Sequence, residues 1–150
     1  MEQFQNIGVV ARLEHPEVVD SLKRLVAFLR ADGRKVLAES KTSELLNDPA
    51  IETISRRSIE GTVDLVIVVG GDGSMLGAAR ALVDLNVPLL GLNRGRLGFL
   101  TDIHPDAMEE GIGRVLAGEY KSTERYLLEM RVERDGETIG KGLALNDLVL

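Results

Sequence analysis

Asp64-Leu65-Val66-Ile67-Val68-Val69-Gly70-Gly71-Asp72-Gly73-Ser74-Met75-Leu76 is the stretch on which the fold reading turns. From Leu65 to Val69 it is continuously apolar and mostly β-branched, as in a parallel strand covered on both faces. Glycines then break the run. From Ser74 to Leu85, Met75, Ala79, Leu82 and Val83 recur at helical spacing. Val87 to Leu92 reads as a further strand. Strand, helix and strand within about 30 residues make a βαβ unit, whose crossover is right-handed.

The same reading extends outward. Asn6 to Ala11 is a short apolar strand. Glu17 to Ala31 is a helix with Val18, Val19, Leu22, Leu25, Val26 and Leu29 on one face, and Gly33 stands where a helix-ending glycine belongs. Lys35 to Ala38 reads as a second strand. Residues 39–62 are polar, a surface connection in which Ala50 to Ile59 is expected to be helical after Pro49. Asp106 to Ala117 is a helix framed by Pro105 and Gly118. The pattern then changes: Leu128, Met130 and Val132 alternate with Glu129, Arg131 and Glu133, a half-exposed antiparallel strand. Asp135-Gly136 signals a hairpin turn, and another strand starts near Thr138. The fold class expected is α/β: an open, mostly parallel Rossmann-like sheet with helices on both faces, followed by the start of an antiparallel β region. The polar stretch Gly118 to Arg125 divides an α/β nucleotide-binding domain, 1–120, from the first strands of a β-rich second domain, 121–150, apparently truncated.

Composition narrows the function. The 150 residues are 44% hydrophobic and 28% charged, typical of a soluble globular protein of one domain, or one and part of another. The absence of cysteine excludes disulfides, thiolate metal sites and Cys nucleophiles, and suits a reducing compartment. A net charge of −6 argues against a nucleic-acid partner. His15 and His104 lie far apart, each before a proline, so no His-based metal site is expected and no residue is assigned as a metal ligand. No apolar run approaches a membrane span, and the N-terminus shows no signal pattern. A cytoplasmic protein with no membrane partner is expected.

The turn Gly70-Gly71-Asp72-Gly73-Ser74 lies where open α/β sheets bind ligands, beyond the carboxyl end of a strand. The following helix offers free N–H groups and a positive dipole end to a phosphate. It is not a P-loop, since no Gly-Lys-Ser/Thr follows. Nor is it the dinucleotide fingerprint, because the third glycine, counted from Gly71, falls on Leu76. Its distinctive feature is a central carboxylate, which repels phosphate unless it has another task. Asp72 could take a proton from a hydroxyl nucleophile, hydrogen-bond a ribose, hold Mg²⁺, or only satisfy turn amides.

The stretch Val68 to Leu76 resembles the Gly-Gly-Asp-Gly motif of NAD kinases, shared with related lipid kinases and 6-phosphofructokinases. Leu90-Gly91-Leu92-Asn93-Arg94-Gly95-Arg96-Leu97-Gly98-Phe99-Leu100-Thr101-Asp102 resembles a second NAD kinase segment. Ala144-Leu145-Asn146-Asp147-Leu148-Val149-Leu150 resembles their strand that contacts the dinucleotide, with Asp147 where many relatives carry Glu. The three motifs stand in order at suitable separations, and the resemblance covers essentially the whole chain. The resemblance implies an enzyme in which the 2′-hydroxyl of the adenosine ribose of NAD attacks the γ-phosphate of ATP, giving NADP, with Mg²⁺ or another divalent metal in support. It also implies a further β-rich domain and a homo-oligomer when full length, with little or no activity from these 150 residues alone.

On this resemblance Asp72 is the catalytic base, a hydroxyl nucleophile needing a proton acceptor. Gly71 and Gly73 admit phosphates and ribose, and Asn146 and Asp147 bind NAD or ATP. Weaker candidates are Ser74, for which helix capping is favoured; Asn93, for which a turn role is favoured; and Arg94 and Arg96, phosphate-neutralising or solvated in equal measure. Phe99 is expected in the core, Arg80 at the surface, and Thr101 and Asp102 in a turn. The alternatives are a 6-phosphofructokinase, whose Thr-Ile-Asp-Asn-Asp motif is missing, a lipid kinase, and a non-catalytic nucleotide-binding module.

Overall fold

The computed structural model describes residues 4–11, 15–94, 98–101 and 103–145. In chain order its elements are strand β1 (Asn6–Ala11), helix α1 (Pro16–Ala31), β2 (Lys35–Ala38), α2 (Ser40–Leu46) and β3 (Glu52–Thr53). Helix α3 (Arg56–Ile59), β4 (Leu65–Gly70), α4 (Asp72–Leu82), β5 (Leu89–Asn93), α5 (Met108–Leu116), β6 (Leu128–Arg134) and β7 (Glu137–Ala144) follow. The first five strands form one parallel sheet in the order β3-β2-β1-β4-β5.

Alternation along the strands feeds two cores, because successive side chains in a strand point to opposite faces. Ile7, Val9, Leu65, Ile67 and Val69 pack on one face with Leu22, Leu25 and Leu29 of α1 and Met108 and Ile112 of α5. Val10, Leu37, Val66 and Val68 pack on the other with Ile59 of α3 and Ala78 and Leu82 of α4. This is the doubly covered parallel sheet expected from the unbroken apolar run of β4. The guanidinium of Arg24 on α1 grips the carboxylate of Glu109 on α5, with Nε 2.8 Å from Oε1, tying two helices of the same layer together.

β6 and β7 form a separate antiparallel hairpin. Asp135 and Gly136 both have positive φ, 52° and 83°, the backbone of a type I′ turn. Leu128, Met130 and Val132 face Ala144, Gly142 and Gly140 across the ladder.

Residues 39–62 differ from expectation. Ala50 to Ile59 is not one helix: β3 and the one-turn α3 occupy it. Ile51 enters the α1-side core and Ile54 the α4-side core. One helical face cannot send side chains to opposite sides of a sheet, whereas an extended segment at its edge can. The helix in this region is α2, which buries only Thr42 and Leu46, an i, i+4 pair. β5 starts at Leu89 rather than Val87. Pro88 lacks an N–H to give the ladder, and its carbonyl accepts from Val66 N–H at 2.9 Å.

Candidate active site

β1 and β4 are adjacent, but their successors run to opposite sides of them, β2 one way and β5 the other. In open α/β sheets this reversal opens a crevice at the carboxyl ends of the strands. Gly70 ends β4 there. Its φ is +154°, a conformation that L side chains rarely adopt. A Cβ on Gly70 would lie 2.3 Å from Ser74 Oγ. Gly71 is the N-cap of α4, and its carbonyl accepts from Met75 N–H at 3.1 Å. Asp72 is therefore the first helical residue and Ser74 the third. Ser74 is buried against Gly70 and is not the N-cap, which is Gly71, contrary to the favoured capping role. The reason is that the helix begins two residues earlier than the apolar spacing suggests.

Gly71 and Gly73 differ from Gly70. Neither has a positive φ, and a Cβ on either would meet nothing within 4 Å. The protein's own packing therefore does not require glycine at these positions. Inside a helix Gly73 costs about 1 kcal/mol relative to alanine. Open space over both residues suits close approach by a ligand.

The Asp72 carboxylate reaches across to the segment after β5. Oδ2 accepts the backbone N–H of Phe99 at 2.8 Å, and Oδ1 that of Leu100 at 3.0 Å. Its position in the first turn of α4 also favours negative charge there. The bonds fall on a neighbouring segment, not on the amides of its own turn. Gly98 makes the approach possible: a Cβ there would lie 2.2 Å from Asp72 Oδ1 and 2.5 Å from Cγ. Thr101 packs on Gly91, where a Cβ would lie 2.9 Å from Thr101 Cα. Ile103 bridges to Leu92, so the segment returns to the sheet immediately after touching Asp72.

The remaining candidates divide clearly. Asn93 ends β5, is buried, and donates its backbone N–H to Ile103 O at 2.8 Å. Arg94 bonds through its backbone N–H to Gly70 O at 2.8 Å, which joins the two strand ends. Its guanidinium reaches the start of α1, where Nε donates to Glu17 O at 3.1 Å. It thus ties the end of β5 to the start of α1. Phe99 is 94% exposed, opposite to the core role expected. Its N–H is given to Asp72 while its ring lies outside. Arg96, Asp102, Asn146 and Asp147 lie outside the described residues. Among the described residues no group of three His, Asp or Glu side chains could hold a metal ion. Sequence reasoning gave Gly98 and Leu100 no role of their own. Gly98 stood in the second motif, but nothing local marked its spatial partner.

The family model for the ATP-NAD kinase N-terminal domain matches residues 7–120. The chain belongs to the NAD kinase family. Two curated NAD kinases, from Hahella chejuensis (strain KCTC 2396) and Pseudomonas entomophila (strain L48), are each 51% identical over all 150 residues. That from Marinobacter nauticus (strain ATCC 700491 / DSM 11845 / VT8) is 49% identical. Each alignment covers 100% of this chain and 51% of the relative, so the chain spans about half the length of the curated NAD kinases it matches. The fold resembles the crystal structure of yeast NADH kinase complexed with NADH, with a TM-score of 0.79 at 21% identity. That match covers 96% of this chain and 47% of the other and bears on the fold alone. These matches do not favour the phosphofructokinase and lipid-kinase alternatives.

Proposed function

We propose that this chain is the N-terminal part of an enzyme that transfers the γ-phosphoryl group of ATP to the adenosine-ribose 2′-hydroxyl of NAD. The observation that carries the reading is the Asp72 carboxylate, fixed beside two glycines with open space above them. In this scheme the 2′-oxygen attacks the γ-phosphorus, the bond to the β-phosphate oxygen breaks, and the hydroxyl proton passes to Asp72. ADP and NADP leave, and Asp72 returns the proton to solvent. Gly71, Gly73 and the first N–H groups of α4 would face the phosphates or ribose. Asn146 and Asp147 would bind the dinucleotide from the β-rich domain, with Arg94 and Arg96 as weaker candidates.

Among the described residues no group of three or more His, Asp or Glu side chains could hold a divalent metal. Mg²⁺ or another divalent metal would enter with ATP, as is usual for a cation that keeps its waters and rides on phosphates. The rest of the reading comprises domains 1–120 and 121–150, a cytoplasmic homo-oligomer when full length, and little or no turnover from residues 1–150 alone.

The test is NADP formation by the full-length protein at saturating ATP, NAD and Mg²⁺, with fructose 6-phosphate as control acceptor. A protein that binds both nucleotides but forms NADP no faster than the blank is a nucleotide-binding module, and the proposal fails. Asp72→Asn is expected to lower kcat by about 10²- to 10⁴-fold, the usual size of a general-base contribution. Near-normal kcat would move the proton acceptor elsewhere. Asparagine can accept only one of the two amide N–H groups that Asp72 accepts, so this loss combines basicity and position.

A further inference from the structure

We propose that Gly98 is a positioning residue for phosphoryl transfer: lacking a side chain, it lets the Phe99 and Leu100 amides close on both oxygens of Asp72 and fix the carboxylate. The proposal rests on the reading of Asp72 as proton acceptor and adds a second residue to it. The two N–H···O distances, 2.8 and 3.0 Å, are those of well-formed bonds. A carboxylate offers about four lone-pair sites. Two are taken by the amides, and one on each oxygen stays open to a hydroxyl. Held at both oxygens, the group loses rotation about its side-chain torsions, so its free lone pairs keep a fixed direction.

What surrounds position 98 demands glycine there. The demand comes from the carboxylate, which would lie 2.2 Å from a Cβ. Ordinary contact begins near 3.4 Å, so an added methyl forces a separation of roughly 1 Å. The atoms it would meet are the acting group itself, not a compliant neighbour. A misplacement of about 1 Å in a catalytic constellation can cost on the order of 10²-fold in rate.

The experiment is a double-mutant cycle on the full-length enzyme with Gly98→Ala, Asp72→Asn and the pair, assayed with ATP, NAD and Mg²⁺. Gly98→Ala is expected to lower kcat by about 30- to 100-fold while KM for ATP stays within about threefold. In the Asp72→Asn background the same change is expected to alter kcat by less than about threefold, because residues acting as one unit are not additive. Equal losses in both backgrounds, or near-normal kcat for Gly98→Ala beside a crippled Asp72→Asn, overturn the proposal and leave the base assignment standing. Near-normal Asp72→Asn overturns both. Should Gly98→Ala fail to fold by circular dichroism, Phe99→Pro is compared with Phe99→Ala. The Phe99 side chain is almost fully exposed, so the pair differs in the N–H given to Asp72 and in the backbone restriction that proline adds. A kcat ratio above about tenfold is expected, and equal rates overturn the proposal.

Discussion

Replacing Thr42 by valine keeps the size and branching of the side chain and deletes one hydroxyl. Thr42 is fully buried on α2, and so is its partner Ala11, the last residue of β1. The hydroxyl oxygen accepts the Ala11 N–H at 3.0 Å and its proton is donated to Ala11 O at 3.3 Å. In the valine variant a buried N–H loses its acceptor, which costs about 1–3 kcal/mol. The carbonyl loses a long bond, worth less. The added methyl contributes about 0.8 kcal/mol in return. The net expectation is a loss of about 1–3 kcal/mol, a fall in Tm of about 3–10 °C for a chain of this size. Thermal unfolding of residues 1–150 followed by circular dichroism measures it, with Thr42→Ser as reference. Serine retains both hydrogen bonds and loses only a methyl, so it should cost less than valine. If serine costs more than valine, or valine is neutral, Thr42 contributes packing alone and the argument from the two buried bonds is wrong.

Gly70→Ala combines a forbidden φ with a contact to Ser74 Oγ. It should cost about 1–3 kcal/mol from the backbone alone, more from the contact, and regain only the second part when Ser74→Gly is added. Urea unfolding that finds Gly70→Ala neutral refutes it. The Arg24 guanidinium holds the Glu109 carboxyl below the usual glutamate range, and the Ala50 N–H, then Arg30, hold Asp48 below the usual aspartate range. Because both folded values are depressed, the stability they give is present above the unfolded values. It is lost as the pH falls below about 4. The Tm difference between wild type and Glu109→Gln should thus be positive but small at pH 7, as for other exposed pairs, and shrink as the pH falls below about 4. A difference unchanged by pH contradicts the ion-pair account. Residues 1–150 alone should self-associate through the hairpin, where Leu128, Ile139 and Leu143 are exposed. Leu128→Glu should lower the mass seen by light scattering, and a monomer at all concentrations counts against the idea.

The parallel sheet was legible where burial is two-sided. An unbroken run such as Leu65 to Val69 has few other uses, and the periodicity of α1 was plain. The α2–β3 region was not, because its structure is decided at the sheet edge by Ile51 and Ile54 going to different layers. The pair Thr42 and Leu46, four apart in a polar stretch, was the available sign of α2. At the site, Asp72 and its glycines could be read from strand, turn and helix in succession. The partners of Asp72 could not, since Phe99 and Leu100 meet it through backbone N–H groups that carry no side-chain signature. Phe99, apolar by type, reads as core from the sequence, yet its ring is exposed.

The sheet order also sets a schedule for assembly. β1 pairs with β2 at 29 residues' separation, Asn6 with Lys35, and with β4 at 58, Ile7 with Leu65. At ribosomal speeds of about 5–20 residues per second, the second partner emerges roughly 3–12 s after the first strand. During that interval β1 can be covered on one side by β2 while its other edge, Ile7-Gly8-Val9-Val10-Ala11, stays bare. Closing the longer loop costs only about 0.6 kcal/mol more than the shorter, so the delay is one of supply, not of energy. The strand that becomes the centre of the sheet is thus, for several seconds, its most exposed edge, and the nascent chain depends on β4 arriving before another chain does.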